Sequence, residues 1–214
     1  MKAFIFDMDG VLVHTDRFHY LAWKEIADAR GIYFDEQINN RLRGLSREDS
    51  LEIILERYTG TPLSAADKAA LCAAKNDVCR RYLSAMTPAD VPDGVRETLT
   101  ALRERGYRLA VGSSSKNAKL VLSHTGLIDA FDAISDGTNI TRAKPDPEVF
   151  LKAAEFLGLS PTDCAVVEDA EAGIDAAKAG GFIAIGIGPA ARYEKTDHSI
   201  HEFSDLLTWA PDLT

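Results

Sequence analysis

Residues 1–15 read MKAFIFDMDGVLVHT. The run from Lys2 to Phe6 is short, almost wholly apolar, and stops abruptly at Asp7. An apolar run of that length without polar alternation predicts a central strand of a parallel sheet, covered on both faces. Asp7 and Asp9 follow it with one residue between them. Carboxylates so close repel one another unless a cation or a proton sits between them.

The same design recurs downstream. YRLAVGSSS runs an apolar strand (roughly 107–111) into small polar residues, and FDAIS (131–135) is a weaker third strand. CAVVEDA (164–170) is again apolar and then acidic, and FIAIGIG (182–188) is a fifth. Helical patterns separate them: GVRETLTALRERG, KNAKLVLSHTG, DPEVFLKAAEFLG and AEAGIDAAKAGG, each closing on a glycine C-cap signal. Strands and helices at this spacing predict βαβ units and a doubly wound, mostly parallel α/β sheet. Residues 14–88 break the rhythm. They offer DRFHYLAWKEIADARG, SREDSLEIILERY and SAADKAALCAAKNDVCRRYL, with Ser46/Asp49 and Ser64/Asp67 placed as capping boxes, and no convincing strand. The expected organisation is therefore a core of 1–13 and 89–214 with a helical insertion at 14–88.

A net charge of -9 does not suit nucleic acid or an anionic bilayer as partner. No apolar run approaches a membrane span, and no signal-like segment opens the chain. Cys72, Cys79 and Cys164 are odd in number and scattered, which fits a reducing compartment and packing roles. The expectation is a cytoplasmic protein, monomeric, with no required protein partner.

In an open α/β sheet, ligands bind beyond the carboxyl ends of the strands. Asp7, Asp9, Ser113 to Ser115, Glu168 and Asp169 all fall at such ends. Acids that converge from distant parts of the chain call for a hard divalent cation, and Mg²⁺ suits a carboxylate and phosphate site. Lys144, after the third strand, can offset charge and hold a phosphoryl oxygen. Gly112 and Ser113 offer amides and a hydroxyl near a helix start, where anions are favoured. Together these read as phosphoryl transfer. With no GxxxxGK loop and no cysteine at a strand end, a carboxylate is the expected nucleophile. Asp7, nearest the rigid strand, attacks; Asp9 handles protons.

These residues are recognisable. The chain resembles the haloacid dehalogenase superfamily of aspartate-nucleophile phosphotransferases, with DMDGV, GSSSKN, KPDPEVF and VVEDAEAGI in order across essentially its whole length. The resemblance implies a Rossmann-like core carrying an inserted small helical cap. HYLAWKEIA, LRGLSREDSLEIIL and AAKNDVCRRYL are similar to the cap of the β-phosphoglucomutase family. That family interconverts β-glucose 1-phosphate and glucose 6-phosphate through bound β-D-glucose 1,6-bisphosphate. The likeness implies Asp7 as nucleophile and metal ligand, and Asp9 as acid/base giving its carbonyl to the metal. Asp169 completes the ligands and Glu168 lies at the metal. Ser113 and Lys144 hold the transferring group. Arg47, Ser115, Lys116 and Asn117 hold the second phosphate, and Trp23, Gly44 and Leu45 line the sugar. Thr15, His19 and Lys75 link the cap to the placement of Asp9.

Each cap position has an ordinary alternative. His19 and Trp23, four apart, make a packed aromatic stripe. Arg47 makes a solvated first turn, although an arginine there opposes the helix dipole. The chain also departs from the family pattern, with His14 where an acid is frequent, Arg43 where lysine is frequent, and Ser114 in place of alanine. The expected function is a Mg²⁺-dependent β-phosphoglucomutase. The alternatives are a sugar-phosphate phosphatase of the same fold and a sensor that only binds.

Overall fold

The computed structural model describes residues 1–42 and 45–210, so Arg43 and Gly44 lie outside the described residues. The chain divides into two compact units, one of Met1–His14 with Met86–Thr214 and one of Thr15–Ala85. Strand β1 (Ala3–Phe6) comes first. Helices α1 (Asp16–Asp28), α2 (Glu36–Asn40), α3 (Arg47–Leu55) and α4 (Ala65–Leu83) follow in the second unit. The first unit then resumes with α5 (Val95–Glu104), β2 (Arg108–Gly112), α6 (Ala118–His124), β3 (Ala133–Ser135), α7 (Glu148–Leu157), β4 (Cys164–Glu168) and α8 (Glu171–Ala179). Strands β5 (Ile183–Gly186) and β6 (His198–Ser199) and the short α9 (Leu206–Trp209) complete it.

The sheet order is β3-β2-β1-β4-β5-β6, and every pairing is parallel. β1 is central, with Phe6 in register with Val111 on one side and Val167 on the other. Chain direction across the sheet reverses between β1 and β4, which makes their carboxyl ends the switch point where ligands bind in such folds. All four residues of β1 are buried, as its unbroken apolar run requires. Ile5, Val166, Phe150 and Phe182 share the core on one face, each large apolar side chain contributing about 1.5–3 kcal/mol by leaving water. Gly112 ends β2 directly under Phe150. A Cβ there would lie 2.5 Å from the ring, so the glycine lets α7 close onto the sheet behind Ser113.

The helical unit has its own core, built from Trp23, Ala27, Phe34, Ile38, Leu51, Ile54 and Leu71 among others. Ser64 and Asp67 form the full reciprocal box at the start of α4. Ser46 caps α3 by accepting from the Asp49 amide, but the carboxylate of Asp49 takes the Ser46 hydroxyl rather than the backbone amide, so only half of the expected box forms. Helix α2, capped by Asp35, and the two-residue β6 have patterns too short for sequence periodicity to reveal. Cys72, Cys79 and Cys164 are buried and are thiols rather than disulfides. Among the described residues no helix is long and apolar enough to cross a membrane.

Candidate active site

β1 and β4 are neighbours, so the residues that leave their carboxyl ends emerge side by side. The Asp7 amide donates to the Val167 carbonyl at 2.9 Å, extending the ladder one residue into the site. Asp7, Glu168 and Asp169 then present carboxylate oxygens that all lie within 4.8 Å of one another. Asp7 and Glu168 are buried. The Lys144 ammonium sits between two of them, 2.5 Å from Asp7 Oδ1 and 2.5 Å from Glu168 Oε1. It also lies 4.6 Å above the Phe150 ring. Burial alone would favour the neutral amine, but the charges of Asp7 and Glu168 outweigh it and raise the lysine above its ordinary range. Burial pushes Glu168 up, and the Asp7 charge adds to the effect against the pull of Lys144.

Three carboxylates carry more negative charge than one ammonium can balance. Their donor set is hard oxygen, as Mg²⁺ requires, and the cluster can coordinate such a divalent ion. Asp9 is half-buried in the same loop, where it forms a parallel bridge with Val13 and lies outside that three-carboxylate group. Two glycines make room for the acids. A Cβ on Gly10, whose φ is +80°, would fall 2.0 Å from Asp169 Oδ2. One on Gly173 would fall 1.9 Å from Glu168 Oε1.

The loop after β2 is held just as closely. Ser113 donates its amide to Ser135 O at 3.0 Å, and Gly137 donates to Ser115 O at 3.1 Å. Within the loop, the Ser115 amide donates to Ser113 Oγ and the Asn117 amide to Ser115 Oγ, both at 3.2 Å. Ser113 and Asn117 are buried, whereas Lys116 is exposed. Gly137 touches the loop from behind, and a Cβ there would lie 2.4 Å from Ser114 O and 2.8 Å from Lys116 N.

The helical unit gathers its own set. The buried Lys75 reaches His19 Nδ1 at 3.1 Å and lies 5.3 Å above the Trp23 ring. An ammonium only donates, so Nδ1 accepts and the imidazole proton sits on Nε2. Burial, then the charges of Lys75 and Arg47, push His19 down to about 3. Arg47 opens α3 and donates to Asn76 Oδ1 at 2.9 Å. Trp23 is buried in this unit's core, Thr15 is buried at the start of α1, and Leu45 is exposed. Gly44 is outside the described residues.

Asn76, Gly10, Gly137 and Gly173 are additions that the sequence reading did not single out. The only local signal for Asn76 is its place next to Lys75; the glycines act through space.

A parallel doubly wound core with an aspartate, a lysine and an acid pair at its switch point defines a class of aspartate-nucleophile hydrolases and phosphotransferases. The comparison with known proteins agrees. The chain belongs to the haloacid dehalogenase-like hydrolase family, whose model matches residues 1–181. Within it, the chain is closely related to members of the β-phosphoglucomutase family. It is 42% identical over 207 residues to the β-phosphoglucomutase of Bacillus subtilis, covering 96% of this chain and 92% of that protein. It is 33% identical over 184 residues to the fructose-1-phosphate phosphatase YqaB of Escherichia coli, covering 86% and 94%. Among solved structures, the β-phosphoglucomutase of Clostridium difficile superposes with a TM-score of 0.86 at 34% identity, covering 96% of this chain and 93% of that one.

Proposed function

We propose that the protein is a β-phosphoglucomutase, interconverting β-D-glucose 1-phosphate and D-glucose 6-phosphate through β-D-glucose 1,6-bisphosphate. The observation that carries this reading is the meeting of Asp7, Glu168, Asp169 and Lys144 in one small volume, in a chain 42% identical to a named enzyme of that activity. Asp7 attacks phosphorus and the bond to the leaving oxygen breaks, giving an aspartyl phosphate. Asp9 gives the leaving oxygen its proton and later takes one from the attacking sugar hydroxyl. Lys144, Ser113 and the amides of its loop hold the transferring group. Asp7, Glu168, Asp169 and the Asp9 carbonyl are the proposed metal ligands, and a divalent ion bound there supplies charge stabilisation to the phosphoryl oxygens.

A mutase must also hold the phosphate that is not reacting. Arg47 is proposed for that role, with Ser115, Lys116 and Asn117. Asn76 orients the guanidinium without neutralising it. Trp23, Gly44 and Leu45 are proposed for the sugar, and Thr15, His19 and Lys75 for setting Asp9. A sugar-phosphate phosphatase is the second reading, favoured by the likeness to the Escherichia coli fructose-1-phosphate phosphatase. A sensor that only binds is the third, and a buried, lysine-paired Asp7 in an acid cluster is not what binding alone requires.

The test supplies β-glucose 1-phosphate with catalytic β-glucose 1,6-bisphosphate and Mg²⁺, and follows glucose 6-phosphate against free phosphate. Glucose 6-phosphate in large excess supports the mutase. Free phosphate as the main product establishes the phosphatase, and neither product leaves the sensor.

A further inference from the structure

Lys144 stands on a loop outside every strand and helix, yet its ammonium meets two carboxylates. One oxygen of Glu148, Oε2, accepts from the Thr141 amide at 3.0 Å, the Thr141 hydroxyl at 2.9 Å and the Arg142 amide at 2.8 Å. Asp146 closes the other side: its amide donates to Ala143 O at 3.0 Å, and its Oδ1 accepts from the Glu148 amide at 3.0 Å. The Arg142 guanidinium spans both acids, 3.0 Å from Asp146 Oδ2 and 3.7 Å from Glu148 Oε2. Residues 141–148 are thus cinched onto the first turn of α7, with Lys144 at the tip. Phe150, two residues beyond Glu148, lies under the ammonium.

We infer that Glu148 is a positioning residue for Lys144: its carboxylate ties the Lys144 loop to α7 and so sets where the ammonium stands between Asp7 and Glu168. The inference rests on the reading of Lys144 as the group that holds the transferring phosphoryl. Thr141 and Arg142 are exposed, so water can replace the carboxylate on their amides if it is removed. Loss of Glu148 therefore costs little global stability and acts on the lysine's position. Misplacement by about 1 Å is worth up to about 100-fold in rate.

The experiment measures Mg²⁺-dependent p-nitrophenyl phosphate hydrolysis and affinity for inorganic phosphate, neither of which depends on the sugar. Glu148→Ala is expected to lose about 10- to 100-fold in kcat/KM, weaken phosphate binding in parallel, and unfold within a few degrees of wild type. Glu148→Gln keeps an acceptor oxygen and should recover most of the loss. In a Lys144→Ala background, Glu148→Ala should cause no further loss, because the residue it acts through is gone. Thr141→Val, which removes one of the three bonds at an exposed site, should show a smaller loss with the same dependence on Lys144. It serves as the readout if Glu148→Ala does not fold. Wild-type turnover and phosphate affinity in Glu148→Ala, no recovery by glutamine, or losses that multiply with Lys144→Ala would each overturn the assignment. If wild-type turnover of the aryl phosphate is nil, the phosphate affinities alone decide between these outcomes. Failure to form glucose 6-phosphate would sink the mutase proposal and leave this comparison intact.

Discussion

Gly173, in the first turn of α8, leaves open the space that the Glu168 side chain fills: a Cβ on it would stand 1.9 Å from Glu168 Oε1 and 2.5 Å from Glu168 Cγ. In an ordinary helix, alanine in place of glycine is favoured by about 1 kcal/mol. Here the gain is set against displacement of a buried carboxylate. Gly173→Ala is expected to raise the Mg²⁺ concentration for half-maximal activity about 10-fold or more while leaving the unfolding temperature near that of wild type. A metal titration of activity beside thermal unfolding checks it, and an unchanged midpoint would mean that Glu168 has room to move without cost.

Asp7→Asn keeps the shape and removes the proposed nucleophile. Turnover should fall about a thousandfold or more, and the phosphoenzyme formed from acetyl phosphate should vanish in acid-quenched mass spectra. The loss of the Lys144 ion pair at 2.5 Å adds a stability cost, so folding is checked by circular dichroism. Retained turnover would exclude covalent catalysis through this residue.

Arg47→Ala separates mutase from phosphatase. Arginine grips a phosphate through two parallel hydrogen bonds, which lysine or water does not reproduce. With the guanidinium gone, glucose 6-phosphate formation should drop about 100-fold or more. Hydrolysis of the phosphoenzyme should persist, since Asp7, Lys144 and the proposed metal ligands are untouched. The ratio of isomerised product to released phosphate is the quantity to follow, and an unchanged ratio assigns Arg47 to the solvated first turn of α3.

His19 gives a pH signature of its own. Its folded value, pushed down to about 3 by burial, Lys75 and Arg47, lies below that of an unfolded histidine, about 6.5. In that window the unfolded chain binds a proton that the folded one refuses. The associated stability is complete above about pH 6.5 and is lost as pH falls toward 3. Urea unfolding at pH 7 and pH 5 should show His19→Asn losing less stability than wild type. The difference should be up to about 1 kcal/mol, allowing for the half-buried position. Equal losses in the two proteins would mean that His19 takes up its proton as readily in the fold as in the unfolded chain.

How legible the site was depended on whether a residue's reason is local. Asp7, Asp9, Glu168 and Asp169 follow apolar runs directly, so both the strands and the acids at their ends could be read in one dimension. Lys144 was legible only beside those acids. Arg47 stood out because a cation at a helix start is locally unfavourable. Gly137, Gly173 and Glu148 gave no comparable signal. Their reasons are the loop at 113–117, the Glu168 carboxylate and the amides at 141–142, all contacts that exist only once the chain has folded. The same holds for Asn76, which lies 29 positions from the arginine it orients. β6 escaped because two residues carry no period, and α2 because five carry scarcely more.

The placement of β1 has a consequence for how the protein is made. Ala3 pairs with Arg108 on one flank and with Cys164 on the other. A ribosome at tens of residues per second or slower has long since released the first strand when the second of those partners emerges. Until then the most apolar strand of the sheet keeps one edge open, while Thr15–Ala85, contiguous in sequence, has every partner for its own core to hand. Pairings so distant along the chain are slow to form. The helical unit is therefore expected to fold first, and a nascent chain halted before Cys164 to carry Asp7 on an unfinished sheet. It is during that interval, rather than in the finished enzyme, that the N-terminal strand is exposed to aggregation and to chaperones.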